Sequence, residues 1–399
     1  MATQLSALAA CVTLGCAPTI EPRGAQGEPP AGPAGWALFD GHVDVMVHYA
    51  EAQWDLAAYD LRSSTKGQTN LDRMATGQVI GGFFTCGSPG EDAPRWPGLA
   101  DCLAFVPRLA ARYPDRVMLA TTAADVGRAR ADGKVAWILS VEGGDQIDGD
   151  LKHLAELRAA GVRSFGIVYD RDNDLADGAQ AFVDRQETPR NGGLSPLGEQ
   201  AVDELGRLGM LVDVAHAAES TALAVAARSR LPVIASHTAA SALVPTPRNA
   251  SDAVLRAIAA TDGVVMVTFL PYLTDAAFAR WYASGDAYWF ELKRRHPTEP
   301  DLVKEAMSRW EIQNPKPTTS ITGVADHFEH VARTVGLRHV GIGSDFDGMD
   351  YTVPGLEDHR GMPALIAELR KRGWNDSDID AITSGNILRV LAVADEARR

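Results

Sequence analysis

The sequence predicts a (β/α)8 barrel of the TIM type. Three observations carry this: eight short apolar runs, amphipathic helical segments between several of them, and ionisable residues gathered where the runs end. The runs are WALFDGHVD (36–44), VIGGFFT (79–85), KVAWILSVEGG (134–144), VRSFGIVYD (162–170), MLVDVAH (210–216), LPVIASH (231–237), GVVMVTF (263–269) and HVGIGSD (339–345). Runs that are apolar nearly throughout suit parallel strands buried on both faces. Between them, LKHLAELRAAG (151–161) sets Leu151, Leu154 and Leu157 on one face and stops at Gly161. Ser195-Pro196 supplies an N-cap and a first-turn proline for another helix. A doubly wound open sheet is the structural alternative, but no GxGxxG or Walker-type phosphate loop supports a nucleotide-binding version of it.

Strands 7 and 8 lie about seventy residues apart, long for a crossover. The segment 270–316 there holds Trp281, Tyr282, Tyr288, Trp289, Phe290 and Trp310. It is expected as a helical, aromatic-rich insertion, and its role as a lid, a subunit contact or a self-packed addition stays open. The barrel is expected as a single domain over 36–399.

The N-terminus differs. Residues 5–17 form an apolar stretch too short to span a bilayer but of signal-peptide length. Leu14-Gly15-Cys16 resembles a bacterial lipoprotein box, which makes 1–16 a candidate leader with lipid on Cys16. Residues 17–35, rich in proline and glycine, read as a disordered linker. Export to the bacterial envelope with a lipid anchor is one expectation. Against it, no Lys or Arg precedes Arg23, so a disordered extension of a cytoplasmic protein is the other. Cys86 and Cys102 could pair in an exported protein or stay free buried thiols. The net charge of −14, without a basic run, argues against nucleic acid as a partner.

Polar residues mark the strand ends. The first strand ends in His42 and Asp44, the third in Glu142, the fourth in Tyr169 and Asp170. The fifth, sixth and eighth end in His216, His237 and Asp345. In a barrel these ends meet on one face, and His42 and Asp44, two apart, point the same way. The three histidines with Asp44, Glu142 and Asp345, brought together without a compensating cation, are costly to bury. A metal centre removes that cost, and two metals sharing a carboxylate fit the count better than one tetrahedral zinc. His327 and His330, three apart on a probable helix, lack completing ligands. His48, His153, His296, His339 and His359 read as surface or loop residues. Ser195 and Ser236 lack a GxSxG setting.

The motifs DGHVD (40–44), VEGGDQID (141–148), GLSPLGEQAVDELGRLGMLVDVAH (193–216), PVIASHTAA (232–240), PRNASDAVLR (247–256), GIGSDFDG (341–348) and GNILRVL (385–391) resemble the membrane (renal) dipeptidase family of the metal-dependent amidohydrolase superfamily. They run in the family's order over nearly everything after residue 36. The resemblance implies two Zn2+ ions: His42 and Asp44 on the first, Glu142 bridging, His216 and His237 on the second. It implies Asp345 as the catalytic aspartate, also facing substrate, and Arg248 as the grip on a substrate's C-terminal carboxylate. One position departs: Tyr169 stands where the renal enzymes have an active-site histidine. A phenol can donate to the scissile carbonyl but carries no charge at neutral pH. Tyr169 is therefore expected to polarise that carbonyl, to alter the substrate range, or to line the pocket.

The implied reaction is hydrolysis of the peptide bond of a dipeptide, C-terminal D-residues included, through a metal-bridging hydroxide. Alternatives are a binuclear hydrolase of another small amide or ester, and a non-catalytic metal-binding barrel protein. The implied partners are a dipeptide and, as an open alternative, a second copy in a homodimer, with the membrane reached only through the lipid anchor.

Overall fold

The computed structural model describes residues 35–87, 95–180 and 188–397. The expected leader, with Cys11 and Cys16, and the expected linker up to residue 34 lie outside the described residues. Among the described residues nine strands form one parallel sheet: β1 Leu38–Val43, β2 Val79–Cys86, β3 Val117–Leu119, β4 Val135–Val141, β5 Val162–Gly166, β6 Leu211–Asp213, β7 Ile234–Thr238, β8 Val264–Val267 and β9 Val340–Ile342. Eight run in the order β1-β2-β4-β5-β6-β7-β8-β9 and match the eight expected runs; β3 pairs only with the start of β4, at Val117 to Val135.

The ring closes between β1 and the end of β9. Val43 bridges Phe346 in parallel. The Asp44 N–H donates to the Phe346 carbonyl at 2.9 Å, and the Asp345 N–H donates to the His42 carbonyl at 3.1 Å. The closing seam is thus made by the backbone of three residues that sequence reasoning assigns to the site.

Two buried layers hold the barrel. One cluster joins six strands through Phe39, Phe83, Ile138, Leu211, Ile234 and Met266 and packs on Ile387, Val390 and Leu391 of the helix Asn386–Glu396. A larger one lies between the sheet and the flanking helices. Local signals behave as expected: the helix Pro196–Leu208 begins with Ser195 Oγ accepting the Gly198 N–H and ends at Gly209, φ 66°. At that position only glycine is free of a Cβ penalty.

The insertion falls between β8 and β9 and is helical: Pro271–Thr274, Ala276–Arg295 and Pro300–Gln313 precede the flanking helix Ile321–Val335. Trp289, Leu292, Val303, Ala306 and Met307 make a small core of their own, with Tyr288, Phe290 and Trp310 packed against it. Most of the aromatic enrichment is therefore self-packing. A second group, Phe278 and Tyr282 with Tyr272, Trp281 and Tyr351, joins the insertion to the segment after β9. Cys86 and Cys102 are disulfide-bonded, Cα–Cα 5.8 Å, linking the end of β2 to the helix Trp96–Ala110. No helix among the described residues is long and apolar enough to cross a membrane.

Candidate metal centre

The strand ends bring the expected residues together. Glu142 Oε1 lies 3.1 Å from His216 Nε2, 3.3 Å from His237 Nε2 and 3.7 Å from His42 Nε2. His42 Nε2 is 3.3 Å from Asp44 Oδ1. Candidate donor atoms of His42, Glu142 and His237 lie within 4.8 Å of one another, as do those of His42, Asp44 and Asp345. His42 belongs to both groups, and Glu142 lies against all three imidazoles.

The donor set fits divalent cations on two counts. Glu142 Oε1 is buried and makes no hydrogen bond, although three imidazole nitrogens surround it. The Nε2 atoms of His216 and His237 face each other at 3.0 Å. Nitrogen lone pairs converging on a carboxylate in this way are what a bound cation satisfies. Two ring orientations are also set from behind: His216 Nδ1 lies 2.9 Å from Asp170 Oδ1 and His237 Nδ1 lies 2.8 Å from Ser236 Oγ. Holding Nδ1 leaves Nε2 for the centre, the usual arrangement of metal-ligating histidines.

Backbone strain concentrates at the same place. Asp170, His216, Asp345 and Asp347 adopt left-handed φ values of 50°, 65°, 66° and 70°, each costing about 1 kcal/mol or more relative to ordinary regions. Gly348 leaves room for the two aspartates: a Cβ there would displace the carboxylates of Asp44 and Asp345.

Burial pushes Glu142 up, but the adjacent His42 and His216 imidazoles, then Arg248, outweigh it and hold the carboxyl at about 2. Asp345 goes the other way. Burial first, with Asp44 and Glu142 adding to it against the pull of His42, raises it well above the usual carboxylate range. Two carboxyls of one pocket are thereby separated, one kept ionised and one able to carry a proton.

Arg248 lies beside this centre with its side chain 1% exposed. Its Nη2 donates to the His237 carbonyl at 3.2 Å, while Nε and Nη1 have no hydrogen-bond partner. The Tyr169 ring sits 4.4 Å from that of His216, so it flanks the histidine pair. His327 and His330 stay apart from the site: the Ala240 N–H donates to His327 Nδ1 at 3.0 Å, and His330 pairs with Asp252 at 2.7 Å.

Several supporting residues escaped the sequence reading. Ser236 was visible only as a serine without a hydrolase motif, and Asp170 only as a strand end. Tyr272, just after β8, has its phenol pushed well up by burial, with Arg248 and Asp345 the foremost charges acting on it. His359, expected at the surface or in a loop, is instead fully buried against Asp40. Its local sequence is polar, and only the fold folds that loop under β1.

A closed parallel barrel with imidazoles and carboxylates converging at its C-terminal mouth defines a metal-dependent barrel hydrolase. The family model described as membrane dipeptidase (peptidase family M19) matches residues 34–399, and the chain belongs to that family. It is a metallo-dipeptidase, a hydrolase acting on dipeptides. Dipeptidase aclJ of Aspergillus oryzae is 32% identical over 381 residues, covering 91% of this chain and 79% of its own. The probable dipeptidase PvdM of Pseudomonas aeruginosa superposes with a TM-score of 0.78 at 26% identity, over 91% of this chain and 96% of its own. A metallo peptidase of Rhodobacter sphaeroides, crystallised with a phosphinate mimic of the dipeptide L-Ala-D-Ala, superposes with a TM-score of 0.75 at 25% identity, over 90% of this chain and 99% of its own.

Proposed function

We propose a zinc-dependent dipeptidase with two ions, one held by His42, Asp44 and Glu142 and the other by Glu142, His216 and His237. The observation that carries this is the buried Glu142 Oε1, without a hydrogen bond, ringed by three Nε2 atoms at 3.1 to 3.7 Å. Bound zinc would supply Lewis acidity and ease deprotonation of a water. The remaining roles belong to the chain. Arg248 offers its positive charge and the unpartnered N–H groups of Nε and Nη1 to the substrate's terminal carboxylate, which limits substrates to short peptides. Asp345 takes a proton from the nucleophilic water at its carboxyl oxygen and passes it to the departing amine. Tyr169 donates its hydroxyl hydrogen to the scissile carbonyl oxygen, stabilising negative charge as it develops there. C-terminal D-residues fall within the substrate range, a reading supported by the L-Ala-D-Ala mimic held by the Rhodobacter sphaeroides protein.

The test is a panel of dipeptides with L- and D-residues at the C-terminus, set against N-acyl amino acids and neutral esters, with and without chelator, beside metal analysis. Dipeptide turnover should vanish with chelator and return with about two zinc ions per chain. Turnover indifferent to chelator, or a preference for N-acyl amino acids, would overturn the reading. Export with a lipid on Cys16, past a linker and into the single barrel domain, is proposed alongside it. The Cys86–Cys102 disulfide supports this, since such bonds persist in oxidising compartments. A homodimer is the proposed assembly, checked by sedimentation of the same preparation.

A further inference from the structure

We propose that Asp170 is a positioning residue that couples the metal site to the carboxylate grip. One buried carboxyl orients the imidazole of His216 and at the same time supplies the counter-charge that keeps Arg248 open for substrate. The proposal rests on the roles given above to His216 and Arg248.

Asp170 is fully buried, with Oδ1 2.9 Å from His216 Nδ1 and 3.9 Å from Arg248 Nε. The two distances mean different things. At 2.9 Å the carboxylate accepts a hydrogen bond and selects the imidazole form whose Nε2 faces Glu142. At 3.9 Å it is too far to accept one from the guanidinium. It still counters the charge of a side chain that is 1% exposed and would be costly to bury alone. A carboxylate at contact distance would have occupied the guanidinium fork. Here the charge is balanced while Nε and Nη1 keep no hydrogen-bond partner.

The backbone holds Asp170 back from Arg248. Its φ is 50°, and its carbonyl accepts the Gln180 N–H at 2.7 Å. Gly178 packs so closely on that carbonyl that a Cβ there would collide with it. The loop after β5 therefore fixes the carboxyl on His216 and stops it from closing on the arginine. Without Asp170, the buried carboxyls left for the guanidinium to act on are Glu142 and Asp345. It would be drawn toward the metal centre and away from the incoming substrate. Since metal and substrate carboxylate lean on one group, each should affect the other's binding by the same factor.

The experiment uses the full zinc-loaded chain with Asp170→Ala and Asp170→Asn. Zinc affinity is read by chelator competition, and kinetics with one dipeptide and its C-terminal amide. Asp170→Ala should lower zinc affinity about ten- to a hundredfold. At saturating zinc it should raise KM for the dipeptide about tenfold, with the amide changed less than about twofold. Asp170→Asn can still accept from His216 but carries no charge. It should recover most of the zinc affinity and leave the dipeptide KM raised. Unchanged zinc affinity in Asp170→Ala, equal KM changes for dipeptide and amide, or full recovery of both properties in Asp170→Asn would each overturn the proposal. Arg248→Ala and His216→Ala run in parallel. If they fail to lose the carboxylate preference and the zinc, the underlying reading falls; if they lose them while both Asp170 variants match the parent, only the coupling falls.

Discussion

His359 Nε2 lies 2.9 Å from Asp40 Oδ2, and both side chains are fully buried. The same carboxyl accepts the Ser344 N–H at 2.8 Å, the Ser344 hydroxyl at 2.6 Å and the His42 N–H at 3.3 Å. Asp40 is therefore the staple between β1 and the end of β9, directly beneath His42, Asp44 and Asp345. Removing the imidazole in His359→Ala should cost about 3 kcal/mol, read as a lower Tm, and weaken zinc binding. Unchanged Tm and zinc content would show that the staple does not support the seam.

Gly348→Ala tests how closely the two aspartates are placed. The new Cβ meets only the movable ends of Asp44 and Asp345, so the fold should lose no more than about 1 kcal/mol. The displaced carboxylates should lower kcat/KM about a hundredfold. Thermal unfolding and kinetics on one preparation separate the two effects.

Glu142→Ala removes a side chain that touches all three imidazoles. Metal content and turnover should fall together, turnover by on the order of a thousandfold or more. A variant that keeps its full zinc complement would end the shared-carboxylate reading.

Arg248→Ala should raise KM for dipeptides about a hundredfold and alter KM for neutral esters little. Parallel increases for both substrate types would mean that Arg248 holds the pocket's shape and not a carboxylate.

His327 should make the fold acid-sensitive. Burial above all holds its imidazole down at about 4, and the Ala240 N–H donates to Nδ1. In the unfolded chain it titrates near 6.5. Between these values the unfolded chain binds the proton and the folded chain does not. The associated stability, about 3 kcal/mol, is present above pH ~6.5 and lost as pH falls toward ~4. His327→Asn, which can still accept from Ala240, should flatten unfolding free energy against pH in that window. An unchanged slope would assign the acid sensitivity to other groups.

The barrel and the residues gathered at its mouth were legible for a local reason. Strands buried on both faces must be apolar along their length, so polar residues at their ends stand out: His42, Asp44, Glu142, His216, His237 and Asp345 were visible that way. β3 was missed because Val117–Leu119 is three residues long and becomes exposed toward Leu119, leaving no run to read. The insertion's aromatics were visible, but their use depends on which faces of two helices meet.

The sequence by itself determined the strand count of the ring, the helical starts such as Ser195-Pro196, and the residue types offered at the barrel mouth. These follow from periodicity and backbone preference over a few neighbouring positions. Only the tertiary structure decided which groups share a partner. Asp40 and His359 stand 319 positions apart, and Asp170 reaches His216 across 46. The worth of a buried carboxyl depends on what surrounds it in space. That is why His359 changed from a loop residue to the buried partner of Asp40 at the seam, while His42 and Asp44 kept the place their strand assigned them.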